Sequence, residues 1–240
     1  MIESKKRLVY YYHKYLEGAV VATVLCVVGG EFMIRTSEIS VDLGGKEILI
    51  NIIENSEEVL TAAINDEETP VWVELWPCSL ALARWLWNGP SLSGKSILEL
   101  GAGLGLPGIV AGLKGADVLQ TDYIADALTV IKSNAVLNNI HGLRTAVADW
   151  RDFNISETFD SIIGSDILYN PGLTPHLKQI FQRNLRPGGK IVMADAGRKN
   201  SITFIQELIS EGWKVSEEYL EVSQGRFNYR ISVFLIQPPD

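Results

Sequence analysis

Residues 97–108, ILELGAGLGLPG, constrain this chain more than any other segment. An apolar strand runs straight into Gly101, Gly103 and Gly105, and Pro107 then opens a helix. Glycines at such a turn allow positive φ and let a ligand approach the backbone closely. Proline suits the first helical turn, where no amide is needed. The free amides of that turn point into the crevice beyond the strand ends. Strand, glycine turn and helix in this order belong to a parallel sheet covered by helices.

The flanking sequence repeats the rhythm. Buried strands are expected at 96–100, 117–121, 144–148, 159–165 and 190–194. Helices are expected at 107–113, 125–138, 174–185 and 201–211. Another begins at Trp76-Pro77, with Ser79 as a candidate cap, and Asn88-Gly89-Pro90 stops it. Two strands close the chain, 213–220 and 231–237, joined by a polar loop. The expected fold is α/β: a doubly wound, mostly parallel seven-stranded sheet whose last strand runs antiparallel.

Residues 1–69 read as an N-terminal extension and 70–240 as the sheet domain. In the extension, Gly44-Gly45 separates two alternating apolar segments, a β-hairpin pattern. The polar stretch 65–70 reads as a loop or hinge. The apolar run 18–30 is too short to span a membrane, which takes about 20 residues. It is expected as a buried strand or core helix, so no stable membrane insertion is anticipated.

Charge and composition exclude several classes. The 240 residues carry a net charge of −8, and Lys5-Lys6-Arg7 is the one basic cluster, which disfavours nucleic acid as the main partner. Cys26 and Cys78 are far apart and form no CxxC, and the three histidines make no i,i+4 pair. No metal site is expected, and reduced thiols suit a cytoplasmic location.

The glycine turn alone is ambiguous, because residues 103–108 also fit the dinucleotide pattern GxGxxG. Asp122, ending the second strand, suits ribose hydroxyls of either cofactor class. Three features separate the classes. Glu99, inside the first strand, would repel a pyrophosphate. Asp149-Trp150 offers an acceptor for an exocyclic amine and an aromatic face. LRPGGK leads into the fifth strand, and the antiparallel hairpin follows.

With ELGAGLG, Asp122, ADW and LRPGGKIVMAD in this order, residues 70–240 resemble the class I S-adenosylmethionine-dependent methyltransferases. VWVELWP, Asp149-Trp150 and the acid-x-x-aromatic pair Asp166 and Tyr169 are similar to the seven-β-strand protein lysine methyltransferases. That group includes the enzyme acting on the electron-transfer flavoprotein β-subunit. Residues 1–36 match nothing in it.

The resemblance implies S-adenosyl-L-methionine as cofactor. Gly101, Gly103 and Gly105 would wrap its amino-acid end, Asp122 its ribose, Asp149 and Trp150 its adenine. Trp76 would cover the pocket or else sit in the core. Glu99 would hold the glycine loop, or a cationic ligand tail, or act only structurally. Asp166 and Tyr169 would align the acceptor amine; otherwise they are a strand-end cap and a packed aromatic. Arg198 either faces the substrate or makes a surface salt bridge. The implied activity is N-methylation, of a protein lysine or of a small, nicotinamide-like amine. Two readings of other classes remain: a non-catalytic S-adenosylmethionine-binding protein and an NAD-dependent oxidoreductase.

Overall fold

The computed structural model describes residues 10–16, 19–25, 27–28, 32–61 and 70–239, with side chains from residue 34 onward. The N-terminal part comprises β1 (Tyr10–Leu16), β2 (Ala19–Leu25), β3 (Val27–Val28), β4 (Phe32–Met33), β5 (Thr36–Asp42), β6 (Glu47–Ile53) and α1 (Ser56–Thr61). There follow α2 (Pro77–Asn88), β7 (Ser96–Leu100), α3 (Leu106–Leu113), β8 (Asp117–Asp122), α4 (Ala125–Leu137) and β9 (Arg144–Val147). The chain ends with β10 (Phe159–Ser165), α5 (Thr174–Asn184), β11 (Leu185–Asp195), α6 (Lys199–Ser210), β12 (Lys214–Gln224) and β13 (Phe227–Gln237).

Seven strands form one sheet in the order β12-β13-β11-β10-β7-β8-β9. The pairs β7–β8, β8–β9, β7–β10 and β10–β11 are parallel. β13 runs antiparallel to both β11 and β12. The expected seven-stranded, mainly parallel sheet is therefore present. The chain winds outward through β7, β8 and β9, then returns to the other side of β7 for β10. That reversal opens a crevice beyond the carboxyl ends of β7 and β10.

Alternation along the strands explains the layers. Ile97, Ile163 and Val192 turn to one face, under Leu82, Ile109 and Val130. Leu98, Ile162 and Ile191 turn to the other, under Phe181, Phe204 and Leu208. Successive strand residues point oppositely, so a sheet covered on both faces needs apolar residues at nearly every position. Phe181 is fully buried. Replacing such a residue by alanine costs about 3–5 kcal/mol.

The Gly44-Gly45 hairpin forms as β5–β6, its turn held by Asp42 Oδ1, which accepts from Gly44 N (2.9 Å) and Gly45 N (3.0 Å). Its Ile34, Val41, Ile48 and Ile50 join the same core as α2 and α3. In the apolar run, residues 19–25 form a strand paired antiparallel with β1. The burial of that run, and the segment 62–69 holding most of the polar stretch, lie outside the described residues. Among the described residues no helix is long and apolar enough to cross a membrane.

Three details differ from expectation. Ser79 does not cap α2: it lies inside the helix, and the cap position is Trp76, whose indole has no acceptor to offer. β11 begins at Leu185 rather than 190, where its register against β10 shifts. The closing strands have 11 residues each and meet at a two-residue Gly225-Arg226 turn, not a longer loop.

Candidate functional site

A cavity of about 210 Å³ lies at the carboxyl ends of β7, β8 and β10. It gathers eight of the eleven candidate site residues singled out in the sequence, all but Glu99, Gly105 and Arg198: Trp76, Gly101, Gly103, Asp122, Asp149, Trp150, Asp166 and Tyr169. They come from separate stretches of chain, so their convergence follows from the winding of the sheet.

The turn between β7 and α3 forms the floor. Gly101 has φ +61°, and a Cβ there would sit 2.8 Å from Ile167 Cγ2 and 3.1 Å from Trp150 Cζ2. Only glycine lets the strand end pass under the indole. Asp122 ties the turn down: Oδ2 accepts from Gly103 N and Oδ1 from Ile124 N, both at 3.0 Å. Burial raises the Asp122 pKa, while the amides of Ile124, Gly103 and Tyr123 oppose the rise.

Glu99 and Gly105 stand behind the turn, and for Glu99 the loop-holding reading is the observed one. Neither lines the cavity. Glu99 is 1% exposed; its Oε2 accepts from Gly108 N (3.0 Å) and Gln120 Nε2 (2.5 Å), which fastens the first turn of α3 to the sheet. It lies one residue out of phase with Leu98 and Leu100, on the α3 side, so it holds the glycine loop from beneath. Burial pushes its pKa up to about 8 against the bonds from Gln120 and Gly108. Gly105 is the N-cap of α3 with φ +84°, and a Cβ there would meet Ile131 at 2.8 Å.

One wall carries the pair after β9. Asp149 takes bonds from Arg151 N, Nε and Nη2 at 2.7–3.1 Å. Its hydrogen bond from the Arg151 side chain is the main reason its pKa is lowered. The opposite wall is residues 71–76. There Trp76 Nε1 donates to Val71 O (2.8 Å) and the ring, 37% exposed, stands at the rim. Of its two readings, cavity wall is the observed one.

At the acceptor end, Asp166 has φ +63°, rare for a residue other than glycine. Its Oδ1 accepts from Arg198 Nη1 and from Cys78 Sγ (3.4 Å). Arg198 Nη1 also reaches Asp195 Oδ2 (3.3 Å). The hydrogen bond to Asp166 is the largest reason the Arg198 pKa rises. Burial, then the Asp166 charge, pushes the Cys78 thiol up, so it stays protonated and donates. Tyr169 is 40% exposed at the mouth, its phenol pKa raised by burial and then by Asp122 and Asp166.

Sequence reasoning missed Cys78 as a neighbour of Asp166, Tyr123 as a lining residue, and Arg151 as the partner of Asp149. Tyr123 and Arg151 stand one and two positions from acids already singled out, a signal available in sequence. Cys78 gave none, lying 88 residues from Asp166.

A family model described as lysine methyltransferase matches residues 54–211. The histone-arginine methyltransferase METTL23 of Homo sapiens is 36% identical over 104 residues, 40% of this chain and 55% of that protein. The electron transfer flavoprotein beta subunit lysine methyltransferase of Danio rerio is 35% identical over 132 residues, 54% of this chain and 51% of that protein. The alignments thus span about half the length of these curated relatives. Magnesium protoporphyrin IX methyltransferase from Synechocystis, solved with bound SAM, superimposes with a TM-score of 0.53 at 14% identity, over 75% of this chain and 89% of that one. At that identity the likeness is one of fold.

Proposed function

The chain belongs to the lysine methyltransferase family, and from that premise we propose that it methylates a lysine side chain of a protein with S-adenosylmethionine. Bound in the cavity, that cofactor supplies an electrophilic methyl group carried on a sulfonium. The residues present fit it. Gly101 and Gly103 bring bare backbone to the cavity floor. A carboxylate has roughly four acceptor sites, so Asp122 keeps capacity for ribose hydroxyls beyond its backbone bonds. Asp149 and Trp150 supply an acceptor and an aromatic face for adenine, and Trp76 covers the rim.

The chain's own residues prepare the acceptor. A lysine amine with reference pKa about 10.4 must shed a proton before it attacks, and a partly dry pocket favours the neutral form. Asp166 aligns the amine, and the Tyr169 ring attracts the methylated cation. Holding donor and acceptor in line supplies much of the rate enhancement.

The single observation that carries lysine is the commitment of Asp166 Oδ1 to Arg198 and Cys78. Among the described residues Oδ2 takes no bond, so Asp166 offers one oxygen. A primary amine needs one acceptor, whereas a guanidinium is gripped best by two parallel bonds to both oxygens. Incubating the protein with a cell lysate and tritiated S-adenosylmethionine tests this. Label in a protein band that hydrolyses to N-methyllysine is expected. Methylarginine, methylhistidine, or label confined to small molecules would overturn the assignment.

A further inference from the structure

Helix α4 carries Asn134, and Asn138 caps its end one turn later; both face strand β6. Asn138 Oδ1 accepts from Leu49 N (3.1 Å), and its Nδ2 donates to Leu49 O (2.7 Å). Asn134 Oδ1 accepts from Asn51 N (2.7 Å), and its Nδ2 lies 3.5 Å from Asn51 O. Asn51 Nδ2 answers by donating to Ser133 Oγ (3.0 Å). Four helical residues rise about 6 Å, and two strand residues advance about 6.6 Å. Side-chain amides at i and i+4 therefore match backbone amides at j and j+2. The helix presents a two-rung β-edge, and β6 pairs with it as with another strand.

Asn134 makes one more bond. Fully buried, it donates from Nδ2 to Leu104 O at 2.9 Å. Leu104 lines the cavity within the glycine turn. It precedes the N-cap Gly105, so its carbonyl lies outside the helical ladder of α3. The same amide thus joins the N-terminal hairpin to the turn.

We propose that Asn134, itself held by Asn51 of β6, is a positioning residue that braces the cofactor turn from behind. Cofactor affinity then depends on a buried side chain that lines no part of the cavity. This inference rests on the turn holding S-adenosylmethionine.

The test uses the full chain and three variants. Asn134→Asp keeps the acceptor for Asn51 N but replaces the donor to Leu104 O with a repelling oxygen. Asn138→Ala removes the other rung without touching the turn. Asn134→Ala stands in if the aspartate variant fails to fold. For the Asn134 variants, the calorimetric Kd and the KM for S-adenosylmethionine should rise about tenfold, with kcat at saturating cofactor within about twofold of wild type. For Asn138→Ala, Tm should fall while Kd stays within about twofold. An unchanged Kd in the Asn134 variants would overturn the inference. So would Kd losses that simply track the Tm losses in all variants. If wild type itself gives no heat with S-adenosylmethionine, the proposed function fails first, and the brace with it.

Discussion

At position 166 the backbone adopts φ +63° while the side chain is shared between Arg198 and Cys78. Sparsely populated conformations of this kind cost about 1–3 kcal/mol and persist where surroundings enforce them. Asparagine tolerates this region, so Asp166→Asn should fold while losing the charge that orients the amine. Its kcat should drop by about 100-fold, as a small misplacement of reacting groups does, with cofactor Kd unchanged. Single-turnover kinetics beside calorimetry separates the two quantities, and a wild-type kcat would remove Asp166 from the mechanism.

Glu99 gives a second prediction at this scale. Its pKa is about 8 in the fold, against 4.5 for a glutamate side chain free in water. Between these values the folded state retains a proton that the unfolded state has lost. Stability from this group is therefore full below about pH 4.5 and declines as pH rises toward 8. Asp122, also raised by burial, acts in the same direction. Glu99→Gln keeps an oxygen for Gly108 N and Gln120 Nε2 but cannot ionise. Urea denaturation should show the variant gaining on wild type by a few kcal/mol between about pH 5 and 9. A gap that does not grow with pH would contradict the buried, proton-retaining Glu99.

Among the elements, the junction of β11 and α6 illustrates how one buried acid organises a site. Asp195 is 0% exposed, and its Oδ1 accepts from Gly197 N, Arg198 N and Ser201 Oγ. It closes the start of α6, whose cap residue Arg198 contributes no side-chain bond. It also holds the arginine that holds Asp166. Asp195→Ala should cost about 3 kcal/mol, since bonds to a charged group are worth about 1.5–3 kcal/mol and several are lost. It should lower kcat as well, because Arg198 loses one anchor. Denaturation and turnover on the same sample check both; loss of stability with full kcat would detach this junction from catalysis.

The elements were legible in sequence wherever burial imposed a period. β10 spans 159–165, as read from its apolar run, and α5 follows from Leu177, Ile180 and Phe181 on one face. Legibility ended where strands leave the core. In β12, Glu217, Glu218 and Glu221 are exposed, and buried Val222 alone among polar neighbours was too little to mark its continuation to Gln224. The early start of β11, across exposed Arg186, Pro187 and Gly188, was hidden for the same reason.

For the molecule as a whole, the winding order decides what the residues can do together. Strand, glycine turn and acid were readable because they are local: Gly101, Gly103 and Asp122 lie within 22 consecutive positions. Which of the readings of Glu99 holds was not legible, because sequence does not say which side of β7 an interior acid faces. The contact of Cys78, Asp166 and Arg198 joins three separate segments and leaves no mark in any one of them. Nor did the paired asparagines of α4 announce that the N-terminal hairpin belongs to the same core.

The central claim is that the crevice beyond β7, β8 and β10 binds S-adenosylmethionine through the turn at 101–103 and the carboxylate at 122. Isothermal titration of the purified chain with that compound measures it directly. The account predicts saturable binding at one site per chain, weakened at least about tenfold by Asp122→Ala and by Gly101→Val in variants that remain folded. No heat with wild type, or equal affinity in all three proteins, would contradict it.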